Sequence, residues 1–176
     1  TVSVKGRKET PAVEDEALKK ATLQFIPELQ ESLEGFRRYG TGQGVIACDQ
    51  VGNLPIDNWR TAQNTPLAEK TSGLVVAREY QIKRGGCRRC AIMCSRSVEV
   101  AEGAYATDGQ ISGPEYETLA GFGSLLGNDN LESIIKANER CNQLGIDTIS
   151  TSMIIAFAFE CFEKGVITKA DTGGLE

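Results

Sequence analysis

Residues 129–165 read DNLESIIKANERCNQLGIDTISTSMIIAFAFECFEKG, and this stretch decides the fold class. Leu131, Ile134, Ile135 and Asn138 recur on one face at helical spacing, an Asp129-x-x-Glu132 pair has the form of a capping box, and Gly145 supplies a stop. A second helix runs from about Thr148 to Lys164 and ends at Gly165. Its centre, Met153-Ile154-Ile155-Ala156-Phe157-Ala158-Phe159, is apolar all round, which predicts a helix buried on most sides.

Toward the N-terminus a helical pattern starts at Pro11. Leu18, Ala21, Thr22, Phe25, Leu29, Leu33, Phe36 and Tyr39 recur at three- and four-residue steps up to Gly40 and Gly42. Pro27 is expected to kink or divide it. Residues 40–72, rich in Gly, Pro, Asn and Thr, read as irregular structure around Gly52-Asn53-Leu54-Pro55. A further helical stretch covers about Gly73 to Lys83, followed by a cysteine-rich loop from Gly85 to Arg96 and turns from Gly103 to Pro114. Val2-Ser3-Val4 suits a strand end or an arm from a neighbouring domain. The expectation is a mainly α, irregular helical domain over residues 1–176 with long functional loops.

Charged residues make up 24% of the 176 and hydrophobic ones 40%, which argues against disorder and for one soluble core. The net charge of −5 gives no general attraction to nucleic acid or an anionic membrane. No apolar run approaches the ~18 residues of a membrane-spanning helix. The charged N-terminal residues and the absence of an initiator Met predict no signal peptide and suggest a piece of a larger protein. Histidine is absent, so any site must work with thiols, carboxylates or groups from elsewhere.

Cys87, Cys90 and Cys94 form a C-x2-C-x3-C run, in which three thiols within eight residues can turn toward one point. Between Arg78 and Arg96 six cations face one anion, Glu79. That excess suits an anionic iron–sulfur cluster, although phosphate or plain solvated surface would account for the arginines alone. A structural zinc needs four ligands, and the other thiols, Cys48, Cys141 and Cys161, lie far along the chain.

With this run stand Gly52-Asn53-Leu54-Pro55, Gly113-Pro114-Glu115-Tyr116-Glu117-Thr118 and Cys141-Asn142-Gln143-Leu144-Gly145-Ile146-Asp147-Thr148. In this order the motifs resemble the aldehyde:ferredoxin oxidoreductase family of tungsten enzymes. The resemblance covers nearly the whole chain and implies the middle, mostly helical domain of an enzyme of about three domains. It implies tungsten, less often molybdenum, held by two pterin dithiolenes, with a [4Fe–4S] cluster that passes electrons to ferredoxin or another low-potential carrier. Cys87, Cys90 and Cys94 take the role of three cluster ligands, the fourth lying in the following domain. The family's pterin motif D-x-x-G-L-[DC] reads here Asn142-x-x-Gly145-Ile146-Asp147. Asp147 can accept hydrogen bonds from a pterin edge, whereas Asn142 departs from the usual Asp and loses its charge. Glu117, preferred over Glu115, takes the role of the acid/base carboxylate beside the metal.

The activity implied is oxidation of a small aldehyde to a carboxylic acid, in concert with the remaining domains of the enzyme. A family member reducing aryl-CoA thioesters or carboxylic acids is the first alternative, and a zinc-stabilised binding module the alternative from another class. Neither nucleic acid nor membrane is an expected partner, and a homo-oligomer stays open. Cysteine usage points to a reducing, cytoplasmic compartment.

Overall fold

Asn64, Asn130 and Asp147 each cap the start of a helix with a side-chain oxygen, whereas the helices starting at Gly44, Gly73 and Tyr116 begin without one. The computed structural model describes Gly6 and residues 15–88 and 90–174. Helix α1 spans Asp15–Ser32, α2 Glu34–Tyr39, α3 Gly44–Gln50, α4 Thr65–Thr71, α5 Gly73–Val75, α6 Tyr116–Phe122, α7 Leu131–Leu144 and α8 Thr148–Glu163. A π turn, Val76–Tyr80, continues α5, and short 3-10 turns occupy Thr41–Gln43 and Ser124–Leu126. Strands β1 (Gln81–Gly85), β2 (Ser95–Val98) and β3 (Ile111–Ser112) form one antiparallel sheet in the order β1-β2-β3. The domain is mainly α, as expected, and no single described helix is long and apolar enough to cross a membrane.

Several local expectations are corrected. Pro27 sits inside an uninterrupted α1, and the break falls instead at Leu33. Residues 40–72 are not all irregular: α3 and α4 lie there, too short to show a hydrophobic period. What builds them is the fully buried carboxylate of Asp49, which accepts from Asn64 N–H at 2.7 Å and Thr65 Oγ1 at 2.8 Å, while Asn64 caps α4 through Leu67 N–H. The helix expected to reach Lys83 stops at Tyr80, and Gln81–Gly85 is strand. The cap of α7 is Asn130, accepting from Ser133 N–H at 3.1 Å, and Asp129 pairs instead with Lys70 at 2.5 Å. The Val2-Ser3-Val4 strand and the helix start at Pro11 lie outside the described residues.

Val45, Leu54, Ile56, Val76, Val98, Leu119, Ile134 and Ile135 are buried and make up the centre of the core, drawn from α3, the loop after it, the π turn, β2, α6 and α7. Cys141 belongs to this core and Cys48 packs against it. Helix α8 departs most from expectation. Only Ser152 and Ala156 are buried, while Met153, Ile154, Phe157 and Phe159 are 50–68% exposed.

Candidate functional site

The cysteine run is the loop of the β1–β2 hairpin. Gly85 pairs with Ser95 and Arg84 with Arg96, so residues 86–94 are held at both ends by the ladder. Inside the loop Cys90 N–H donates to Cys87 C=O at 3.0 Å, and Met93 adopts a left-handed φ of 55°. The backbone N–H groups of Met93 and then Ile92 point at the Cys90 sulfur and draw its pKa below that of a free thiol. Cys87 is exposed and Cys90 and Cys94 half-buried. A thiolate that accepts backbone N–H bonds from its own loop is the donor chemistry of a cluster ligand. Among the described residues no three Cys, Asp or Glu side chains close into a metal cage, so the loop offers thiols without gathering them.

Sheet register then joins this loop to the glutamate motif. β2 pairs antiparallel with β3 as Ser97 with Ser112 and Val98 with Ile111, and Gly113 N–H extends the ladder to Arg96 C=O at 2.8 Å. The ladder ends there, two residues short of Cys94 on one side and of Glu115 on the other. A side chain at Gly113 would run into Arg96 Cγ and Val98 Cγ1, both 2.9 Å from the added Cβ, so this crossing requires glycine.

The two glutamates have different surroundings. Glu115 accepts a short hydrogen bond from Thr41 Oγ1, which itself accepts from Tyr116 N–H at 2.8 Å, so Glu115 is taken up in fixing the start of α6. Glu117 is exposed on the first turn of α6, with no hydrogen bond or ion pair to another described residue. Between them Tyr116 turns inward, and its phenol pKa is raised by burial, by a hydrogen bond with Cys48 and by the Glu117 charge.

Helix starts bring the third motif to the same edge. Thr118 Oγ1 and Thr148 Oγ1 lie 2.9 Å apart, bonding the first turn of α6 to the first residue of α8. Glu117 and Asp147 are each one residue from that bond. Gly145, with φ 68°, terminates α7: its N–H reaches Asn142 C=O at 3.3 Å and Ile146 N–H reaches Cys141 C=O at 3.0 Å. The chain bends by 118° from α7 into α8. Asp147 caps α8, accepting from Ser150 N–H at 2.7 Å, and that bond lowers its carboxyl pKa. Residues 142–147 are exposed throughout. Asn142 donates to Asn138 Oδ1 at 3.3 Å, and Asn138 donates to Ser112 C=O at 2.8 Å, which returns the chain of contacts to β3.

Thr41 lies outside every motif, and Thr118 and Thr148 stand at the ends of two motifs whose sequences give no sign that these hydroxyls meet. Arg96 was legible only as one of six cations, yet it is 5% exposed while Lys83 and Arg84 stay on the surface. Arg38, Arg78 and Arg84 line a separate groove of about 370 Å³, so two of the six cations, Arg78 and Arg84, face that groove. A groove of about 670 Å³ lies between α4 and the start of α7, lined by none of the Cys87–Cys94, Gly113–Thr118 or Cys141–Thr148 residues.

The structure thus joins a cysteine hairpin, through the β2–β3 pairing, to the segment that leads into α6, and α6 to the start of α8. The model of the family described as aldehyde ferredoxin oxidoreductase, domains 2 & 3, matches residues 16–176. The chain belongs to this family, as the motifs implied. It is similar to the tungsten-containing aldehyde ferredoxin oxidoreductase of Pyrococcus furiosus, 33% identical over 175 residues that cover 98% of this chain and 28% of the relative. The protein of the same name from Thermococcus kodakarensis is 32% identical over the same shares. A Pyrococcus furiosus protein named aliphatic sulfonate oxidoreductase, WOR-like subunit, is 31% identical over 98% of this chain and 27% of its own length. The chain thus spans little more than a quarter of the relatives it matches.

Proposed function

We propose that this chain is the helical middle part of a tungstopterin oxidoreductase that converts an aldehyde and water into a carboxylic acid, two protons and two electrons, and delivers the electrons to ferredoxin. The observation that carries the reading is the Thr118–Thr148 bond, which joins the helix start that bears Glu117 to the helix start that bears Asp147, while the β2–β3 pairing links the cysteine hairpin to the strand leading into α6. When bound, the tungsten–pterin supplies oxygen transfer and accepts the electron pair, and a [4Fe–4S] cluster relays electrons one at a time. Cys87, Cys90 and Cys94 would be three cluster ligands. Gly145 and Ile146 present exposed backbone, and the second oxygen of Asp147 an acceptor, to a pterin edge. Asn142 offers an amide where a carboxylate is usual and contributes to that edge without charge.

Glu117 acts as the base that takes a proton at its carboxylate from the attacking water, since it is exposed and unencumbered where Glu115 is held by Thr41. The apolar side of α8 packs against the remaining domains, and the enzyme works in a reducing cytoplasm. Elemental analysis of the full-length protein, purified without oxygen, tests the reading: about four irons and one tungsten per chain are expected, and zinc with neither metal overturns it. Glu117→Gln should keep both metals and lose aldehyde oxidation by about 100-fold or more, the range of a general base.

A further inference from the structure

We propose that Arg96 is a positioning residue that ties the cysteine loop to the end of α2 and, through its buried charge, sets the reduction potential of a cluster held by Cys94. The proposal rests on the cluster reading above. Arg96 Nη2 donates to Cys94 C=O at 2.8 Å, and Nη1 donates a short bond to Tyr39 C=O, so one guanidinium spans the last cysteine and the end of α2. It lies flat against Gly40, where an added Cβ would sit 2.1 Å from Nη2. Its own strand places Cys94 two residues away and its register partner Gly113 two residues before Glu115.

A permanent cation taken out of water needs countercharge. Burial works against the charged form of Arg96, and the charges of Glu115 and Cys94 both favour it. Arg78 is different: it is exposed and paired with Glu79 at 2.6 Å. Reduction adds one negative charge to a cluster. A fixed cation two residues from a ligand therefore stabilises the reduced state, and Glu115, facing the same cation, opposes it.

The test is a redox titration of the full-length enzyme, purified without oxygen, followed by the electron paramagnetic resonance signal of the reduced cluster. Arg96→Gln should lower the midpoint potential, decreasing the reduced-to-oxidised ratio at the wild-type midpoint about tenfold, ~59 mV for one electron. Arg96→Lys, which keeps the charge but loses the fork, should shift it by less than Arg96→Gln. Glu115→Gln should shift it the opposite way, upward. A midpoint unmoved in Arg96→Gln, or the same sign in Arg96→Gln and Glu115→Gln, overturns the proposal while leaving the functional reading intact. Should Arg96→Gln bind no iron, the upward shift in Glu115→Gln decides, and its absence overturns the proposal equally. A wild-type enzyme with no cluster signal overturns both the proposal and the reading beneath it.

Discussion

Replacing Gly121 by alanine tests whether the close approach of α6 and α8 is what assembles the site. Gly121 is buried in the second turn of α6, and an added Cβ would lie 2.2 Å from Ser152 Oγ and 2.9 Å from Ser152 Cβ. Ser152 is itself fully buried, its hydroxyl committed to Ile149 C=O at 2.9 Å, so it has no open space to turn into. Two effects oppose each other. Alanine is the better helix former by roughly 1 kcal/mol, but overpacking a filled core costs roughly 1–3 kcal/mol. A 2.2 Å contact against a locked neighbour belongs at the upper end, which leaves a net loss of about 1–2 kcal/mol. For a cooperative unit of about 150–250 residues that lowers the unit's own unfolding midpoint by roughly 2–8 °C. Adding Ser152→Gly removes both clashing atoms and should restore most of the activity, at the ordinary cost of a glycine inside a helix. Scanning calorimetry of the full-length enzyme gives the first number, and its aldehyde oxidation rate the second. Separating the helices stretches the Thr118–Thr148 bond and shifts the helix start that carries Glu117 against the one that carries Asp147, so the rate should fall more than the midpoint implies. A Gly121→Ala enzyme with an unchanged or higher midpoint and full activity refutes the packing argument.

Two further predictions concern α7. Asn130→Ala should destabilise by about 1 kcal/mol through the lost cap, whereas Asp129→Ala, which removes only an exposed ion pair with Lys70, should leave the denaturation midpoint almost unmoved. The buried Glu139 pairs with Lys136 at 2.5 Å and accepts from Asp108 N–H at 2.7 Å, and the Lys136 bond is the main cause of its depressed pKa. A carboxylate whose folded pKa is lowered stabilises above its unfolded value of about 4.3, and that contribution fades as pH falls through the folded pKa. Glu139→Gln should therefore lower the midpoint at pH 7 and lose that difference at strongly acid pH. A deficit that persists unchanged in acid refutes the ionic origin.

Legibility in the sequence followed the length of the signal. Helix α7, fourteen residues with a glycine at its end, was read correctly apart from its cap, because Asp129 and Asn130 are adjacent and both are good capping residues. Helices α3 and α4, seven residues each, cannot show a hydrophobic period, and the feature that organises them, buried Asp49, is a long-range one. Strand β1 was read as the end of a helix because Gln81-Ile82-Lys83-Arg84 has no alternation that burial enforces: residues 82–84 are all exposed. The site was legible as motifs and not as an assembly. Nothing in the spacing of the motifs reveals that a two-residue strand links the cysteine hairpin to the segment leading into α6, nor that Arg96 bonds both Cys94 C=O and Tyr39 C=O.

The error on α8 is the most informative, since the sequence pattern and the structure each describe a different object. A helix apolar all round is stable only where most of its surface is covered. In this chain α6, α7 and the Ser124–Leu126 turn cover one side, leaving Phe157 66% and Ile154 68% exposed. Patches of that kind on soluble proteins mark contact surfaces, and the chain accounts for about 28% of its relatives' length. The apolar surface of α8 therefore fits a helix selected for burial within the whole enzyme. Ile146 and Ile149 are 46% and 43% exposed, so the uncovered apolar surface reaches the start of α8, where Thr148 meets Thr118 of α6.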